Sequence, residues 1–194
     1  MQPAILAAFA AFFSLFTAAC AKDANSESAK SPGSPGSPGN YAAVNAKASS
    51  SVEGGIQEGD KAPSFSIDSV NGQGQVAITP GKVTLVDLWA TWCYPCKQNF
   101  PKYQEIYAKY KENGLEIAAV SVDDEKDSVI AFAAASGATF PIGWDEGRKI
   151  ENQFQPAGVP TLYVIGKDGT VKHIHRGESA GNEIQLDKEI ENLL

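Results

Sequence analysis

The chain is 194 residues long, with 43% hydrophobic and 20% charged side chains, enough for one globular domain with appendages. Asp and Glu outnumber Lys and Arg by 23 to 16, giving a net charge of −7. Residues 1–21 hold no ionisable side chain except Cys20, so loss of a leader leaves that charge on the body, and an acidic body argues against nucleic acid as a partner.

Residues 1–19 form an apolar leader, densest from Ile5 to Phe13. It is short for a stable membrane span and exits through Thr17-Ala18-Ala19-Cys20, a small-residue run that reads as an export signal. Cys20 is expected to be the first residue of the mature protein and to carry lipid. A small residue at an ordinary cleavage site and an uncleaved anchor are the other readings. Thr17 stands where lipoprotein signals usually have Leu, and the leader has no Lys or Arg. Residues 20–55 are rich in Ser, Ala, Gly, Pro and Asn, with three consecutive Ser-Pro-Gly units from Ser31 to Gly39. Such a segment buries too little apolar surface to offset its ordering entropy and is expected to be a disordered tether with a reach of about 30 Å.

A globular domain is expected over residues 56–194. Phe65 to Ile67 and Gln75 to Ile78 flank Asn71-Gly72-Gln73-Gly74, a hairpin signal. Pro80-Gly81-Lys82 turns into an apolar strand, Val83 to Trp89. A helix follows from about Cys96 to Asn113, with Phe100, Tyr103, Ile106, Tyr107 and Tyr110 at helical spacing and Gly114 as its stop. Pro101 falls inside it and is expected to kink it. Leu115 to Val122 reads as a buried strand. Ser128 to Ser136 reads as a helix capped by Asp127 and closed by Gly137. Phe140 to Trp144 is expected to be extended and Arg148 to Phe154 helical. Val159 to Ile165 and Thr170 to His175 pair across Lys167-Asp168-Gly169, and Ile184 to Leu194 is an amphipathic helix. Alternating β and α units with a closing hairpin and helix imply an α/β fold, a mixed sheet with helices on both faces.

The chemistry concentrates where the Val83–Trp89 strand delivers Cys93-Tyr94-Pro95-Cys96 to the start of a helix. Unpaired N–H groups and the partial positive charge of a helix N-terminus stabilise a thiolate. Cys93, the outer cysteine, is therefore the expected nucleophile, and Cys96, one turn further in, the resolving thiol. Half of a structural zinc site is the bland reading, but it needs two more ligands, and the remaining cysteine, Cys20, lies in the leader. Asp87, six residues before Cys93 in an otherwise apolar strand, should point inward behind the pair. Burial should raise its pKa, making it a proton acceptor for Cys96. Trp92 and Tyr94 are expected to form an apolar docking rim, and Pro95 to fix the first helical turn. Pro160, in Gly158-Val159-Pro160-Thr161, opens a strand and leaves backbone groups around Val159 and Thr161 for an extended substrate. His173 and His175 share one strand face, read as solvated rather than metal-binding. Asp123-Asp124-Glu125 reads as a polar loop. No metal and no cofactor are expected.

Val86-Asp87-Leu88-Trp89-Ala90-Thr91-Trp92-Cys93-Tyr94-Pro95-Cys96-Lys97, with Pro101 following, resembles the thioredoxin active-site segment. The wider context, about Gly59 to Leu194, resembles the TlpA/ResA branch of that superfamily, membrane-anchored extracytoplasmic thiol–disulfide oxidoreductases. The resemblance implies a thioredoxin-like fold with an N-terminal β-hairpin and a central β-α insertion between Val122 and Val159. It also implies a redox disulfide between Cys93 and Cys96, an acid at the Asp87 position and a cis peptide bond before Pro160. Implied partners are protein disulfides or thiols, such as those of cytochrome c maturation, and a membrane thiol-reducing donor, with the domain acting as a monomer on the periplasmic side. Two other functions share the fold. A peroxiredoxin places its cysteine in Thr-x-x-Cys, whereas Thr91 lies two positions before Cys93. A Sco-like copper module spaces its cysteines by three residues and adds a distal histidine.

Overall fold

The computed structural model describes residues 54–177 and 183–194, except for the side chains of residues 183 and 184. The leader, Cys20 and the tether as far as residue 53 lie outside the described residues. The expected hairpin is present as β1 (Ser66–Asp68) and β2 (Gln75–Ala77), paired antiparallel with Ile67 opposite Val76. Then come β3 (Val83–Trp89), α1 (Tyr94–Tyr110), a turn of 3-10 helix (Lys111–Asn113) and β4 (Leu115–Ser121). The chain continues through α2 (Lys126–Ser136), β5 (Ile142–Trp144), α3 (Lys149–Phe154), β6 (Thr161–Ile165), β7 (Val171–Arg176) and α4 (Glu183–Leu193).

Five strands form one mixed sheet in the order β5-β4-β3-β6-β7. β3 pairs in parallel with β4, and β4 with β5, while β6 runs antiparallel to both β3 and β7. The central strand β3 is buried at every position, as the unbroken apolar run requires of a strand covered on both faces. Alternation along it divides the core. Leu85 and Trp89 pack beneath α1, α2 and α4 through Phe100, Tyr103, Ile106, Val129, Leu186 and Ile190. Val86 and Leu88 face the other way, onto Ile150 and Phe154 of α3 and Val76 of the hairpin. The mixed sheet with helices on both faces is therefore present, hairpin included. Gly143 of β5 lets the hairpin settle: a Cβ there would lie 2.6 Å from Ile67 Cδ1 and 3.0 Å from Val76 Cγ2.

Three local expectations are corrected. α1 begins two residues earlier than the apolar spacing indicates, with Cys93 as its N-cap, because the cap and first turn carry no periodic apolar side chain. It passes through Pro101 and ends at Tyr110, leaving the last residues to the 3-10 turn; Gly114, at φ 102°, is the left-handed stop. Asp127 does not cap α2: the helix starts at Lys126, Asp127 sits within its first turn, and Glu125 is the N-cap without a side-chain hydrogen bond. An acid at a first-turn position meets the helix dipole instead of a single N–H. Gly137 does end α2, at φ 70°.

The histidine face is the third correction. His175 is buried, its Nε2 2.7 Å from Glu189 Oε2 of α4, and His173 Nδ1 lies 3.8 Å from Glu189 Oε1. Gln185 Nε2 donates to the same Oε1 at 2.9 Å. An alternating strand cannot reveal that the terminal helix will fold back across one of its faces.

Candidate active site

The turn after β3 sets the geometry. The Cys93 N–H donates to the Ala90 carbonyl at 3.1 Å, and the Lys97 N–H closes the first helical bond on the Cys93 carbonyl at 3.3 Å. Cys93 itself is extended (φ −84°, ψ 103°), and its Sγ accepts the Cys96 N–H at 3.3 Å. The sulfur thus occupies the place of a capping Ser or Asp oxygen, facing amide groups that have no intrahelical partner. Pro95 stands in the first turn, where its missing N–H costs no helical bond. No acidic residue stands in that turn to neutralise the positive end of α1.

Cys93 and Cys96 are joined by a disulfide, with their Cα atoms 5.3 Å apart. Cys96 is fully buried and Cys93 is 6% exposed. Beside them Trp92 and Tyr94 are 65% and 67% exposed, large apolar side chains left in solvent around a buried redox pair. Gln98 Nε2 donates to the Tyr94 hydroxyl at 2.9 Å, one helical turn on. The Val159–Pro160 peptide bond is cis. Pro160 is buried and its carbonyl accepts the Gly177 N–H at 2.9 Å. The Thr161 side chain donates from Oγ1 to the Gly158 carbonyl at 2.6 Å. Val159 is half-buried at the edge of a shallow cavity of about 240 Å³ that also takes in Ala157, Gly158, Pro160 and Arg176.

Asp87 lies on the face of β3 that α1 covers, 1% exposed, between Ala119 of β4 and Leu162 of β6 in the register. Neither carboxyl oxygen meets a donor in close, well-aligned geometry. Burial raises its pKa from 3.8 to about 8, and a looser polar contact from the Tyr103 hydroxyl holds the rise back. A buried carboxyl with so few partners resists ionisation. At neutral pH it is poised to exchange a proton, which a solvated Asp is not.

Three polar residues that sequence reasoning passed over complete the surroundings. Tyr103, counted among the apolar positions of α1, is fully buried, and burial first and the Asp87 charge second hold its pKa well above 10.0. Asn99 is 5% exposed, one turn before it on the same helix. Their spacing from Cys96, three and seven residues, was the available signal, since i, i+3 and i+7 share a helix face. Asp123 is no solvated loop residue. It accepts the Thr91 N–H at 2.8 Å, the Thr91 hydroxyl at 2.6 Å and the Ser121 hydroxyl at 2.6 Å, tying the cysteine turn to the end of β4. Trp144 Nε1 donates to its carbonyl at 2.8 Å. Among the described residues no group of three or more His, Cys, Asp or Glu is arranged to hold a metal.

Comparison with known proteins agrees with this arrangement. Residues 58–174 match the model of the AhpC/TSA family. Over 131 residues the chain is 34% identical to the thiol–disulfide oxidoreductase ResA of Bacillus anthracis, covering 67% of this chain and 76% of that one. It is 36% identical over the same length to ResA of Geobacillus kaustophilus, covering 67% and 75%. Among solved structures, one from Chlorobium tepidum, described as a thiol:disulfide interchange protein DsbE, aligns with TM-score 0.66 and 31% identity. That alignment covers 71% of this chain and 98% of that one. A protein described as a disulfide isomerase from Bacteroides thetaiotaomicron aligns with TM-score 0.63 and 28% identity, covering 72% and 91%.

Proposed function

This chain belongs to the AhpC/TSA family and is a thiol–disulfide oxidoreductase of thioredoxin-like fold; from that premise we propose that it reduces disulfides of exported proteins through Cys93 and Cys96. In the reduced protein, Cys93 is the thiolate. It attacks one sulfur of a substrate disulfide, forming a mixed disulfide and releasing the other substrate sulfur as a thiolate that water protonates. The Cys96 thiol then passes its proton to Asp87 and attacks Cys93 Sγ. The Cys93–Cys96 bond forms, the bond to substrate breaks, and the substrate leaves with two electrons gained and the pair oxidised. An external thiol donor must return those electrons, and we assign that task to a membrane thiol-reducing system.

The observation that carries this reading is Cys93 at the N-cap of α1, its sulfur accepting a main-chain N–H in a first turn without an acid. Negative charge on Cys93 is favoured there, and the buried Cys96 has no such support. Cys93→Ser should abolish reduction of a protein disulfide, while Cys96→Ser should accumulate a mixed disulfide visible by intact mass. Equal alkylation rates of the two thiols near pH 6 would reverse the assignment. A reduction potential near −270 mV or below fits a reductase, and one near −120 mV an oxidant. Hydrogen peroxide turnover or tight anaerobic copper binding would instead favour the peroxiredoxin or copper-module reading.

The remaining assignments rest on sequence. Trp92, Tyr94 and Pro95 form the rim against which a partner docks, and Val159 and Thr161, on either side of Pro160, offer backbone to its extended chain. Residues 1–19 direct export, Cys20 carries lipid, residues 20–55 act as tether and residues 56–194 work as a monomeric domain outside the cytoplasm. Apocytochrome c and other exported cysteine proteins are the substrate class we propose. No helix of the described residues is long and apolar enough to cross a membrane; we assign anchoring to the lipid on Cys20.

A further inference from the structure

The end of the sheet that leads into the cysteine turn also carries an arginine. Leu88 of β3, Thr161 of β6 and Arg176 of β7 stand in register across three adjacent strands. At about 4.8 Å per strand, Arg176 lies about 10 Å from β3, level with its penultimate residue. Alternation puts Arg176 on the face of β7 shared with Ile174, which packs on the side of the sheet that α3 covers.

Two cavities meet at this arginine. One, of about 240 Å³, runs from Ala157 past Val159 and Pro160 to Arg176. The other, of about 550 Å³, lies between Gly54–Gln57 and the Gln155–Ala157 segment after α3, and Arg176 lines it as well. Sharing Ala157 and Arg176, the cavities adjoin as one groove, which begins at the backbone that Val159 and Thr161 offer a substrate. Among the described residues lining it, Arg176 is the charged one; Gln57, Gln155 and Thr161 are neutral and the others are glycine or apolar. Glu58 lies on the same edge, its Oε1 accepting the Ile174 N–H at 3.0 Å, and lines neither cavity. The groove thus has a sign opposite to that of the molecule, whose net charge is −7.

We propose that Arg176 is a specificity-determining residue: its guanidinium receives a carboxylate of the substrate chain lying in this groove, so that disulfides flanked by an acidic residue are favoured. The proposal rests on the reading of Cys93 and Cys96 as a reductase of protein disulfides and adds the charge of its substrates. A guanidinium offers a planar fork of donors that meets a carboxylate through two bonds. Because Arg176 is exposed, its pairing with an acid is modest in strength and screened by salt. Arg176 makes and breaks no bond, and the sulfur exchange is the one already written. An extended chain advances about 3.3 Å per residue, so the distance of about 10 Å from β3 spans about three residues. The recognised acid belongs a few residues from the reacting cysteine.

Symmetrical disulfides of short peptides, blocked at both ends and holding one cysteine each, test this assignment. One position, about two to five residues before or after the cysteine, is Glu, Gln or Lys. The rate at which each oxidises the reduced full-length protein is divided by that protein's own rate with hydroxyethyl disulfide, so changes in the thiolate or the fold cancel. This uncharged reference replaces the aromatic disulfide DTNB, whose own carboxylates would meet Arg176. At its best position the Glu peptide should outrun the Gln peptide about three- to fivefold at low salt, and about 0.5 M salt should compress that ratio. Arg176→Gln should erase the preference, Arg176→Lys should keep part of it, and Arg176→Glu should turn it toward Lys. If no peptide disulfide oxidises the protein, the reductase reading itself fails. If the peptides react but Glu, Gln and Lys give equal rates in the wild type, the groove takes an uncharged chain and the assignment of Arg176 is wrong. A Glu preference that survives Arg176→Gln overturns it as well.

Discussion

At the scale of single residues, Asp87 shows how burial changes a side chain's contribution to stability. Its ordinary pKa is 3.8, and in the fold burial raises it to about 8. The folded protein therefore binds this proton more tightly than the unfolded chain does. Stability from this group is complete below about pH 4, falls as pH climbs toward 8 and then levels off. Asp87→Asn carries no charge to desolvate, so it should be more stable than wild type near pH 8 by on the order of 2 kcal/mol, with the gap closing toward pH 4. Urea melts at about pH 5 and pH 8 measure both ends; a clear loss of stability in the variant at pH 8 would mean the carboxylate is held by favourable bonds. Trp92 is the opposite case, an apolar side chain left 65% exposed. Trp92→Ala should weaken reduction of protein disulfides several-fold, as loss of an aromatic anchor does, and leave the DTNB reaction unchanged. Equal effects on both substrates would place Trp92 in the chemistry instead of in docking.

At the scale of elements, the position of the cysteine turn depends on a connection between two loops. Asp123, after β4, holds both the N–H and the hydroxyl of Thr91, two residues before Cys93. Without that carboxylate, three donors (the Thr91 N–H, the Thr91 hydroxyl and the Ser121 hydroxyl) lose their acceptor at a largely buried junction. Asp123→Ala should cost about 2–3 kcal/mol of stability and speed hydrogen exchange at the Thr91 amide. Asp123→Asn should cost less, since one oxygen can still accept. Unaltered exchange at Thr91 in the alanine variant would show that the turn is held by its own helix. The end of the neighbouring strand β5 uses a related device. Asp145 accepts the N–H groups of Ile150 and Glu151 at 2.8–3.0 Å, serving the start of α3 from outside the helix, where the N-cap, Arg148, is in the left-handed region at φ 54°.

At the scale of the whole molecule, the proposed division of labour is between a catalytic domain and the segment before it. A variant beginning at residue 56 should keep the DTNB kinetics and reduction potential of the full chain, because the site is built within β3, α1 and the β6 loop. It should also lose membrane association. In the full chain, Cys20→Ala should release the protein into the soluble extracytoplasmic fraction, since acyl chains at about 0.8 kcal/mol per buried CH₂ would supply the anchor. Fractionation with intact-mass measurement tests this; a mature mass that begins after Ala21 would remove the anchor from the account.

Much of this protein is settled by local pattern. The Val83–Trp89 run, the hairpin around Asn71–Gly74, the left-handed stops at Gly114 and Gly137 and the placement of Cys93 before Pro95 and Cys96 follow from periodicity, turn chemistry and helix-end electrostatics, which act over a few residues. The inward direction of Asp87 was equally legible, because strand alternation and an apolar neighbourhood leave it no other face. Contacts between distant segments were not. The helical spacing that marks Tyr103 as buried cannot say that Asp87, sixteen residues earlier in the chain, lies close enough to raise its pKa. Asp123 looks like any acid in a polar loop until the sheet brings Thr91 beside it, and His175 looks solvated until α4 delivers Glu189 to 2.7 Å. Sequence by itself determined the elements and the redox pair, since short-range backbone and apolar preferences decide those. Only the tertiary structure decided which polar groups are buried together, because burial and partnership are properties of the packed whole.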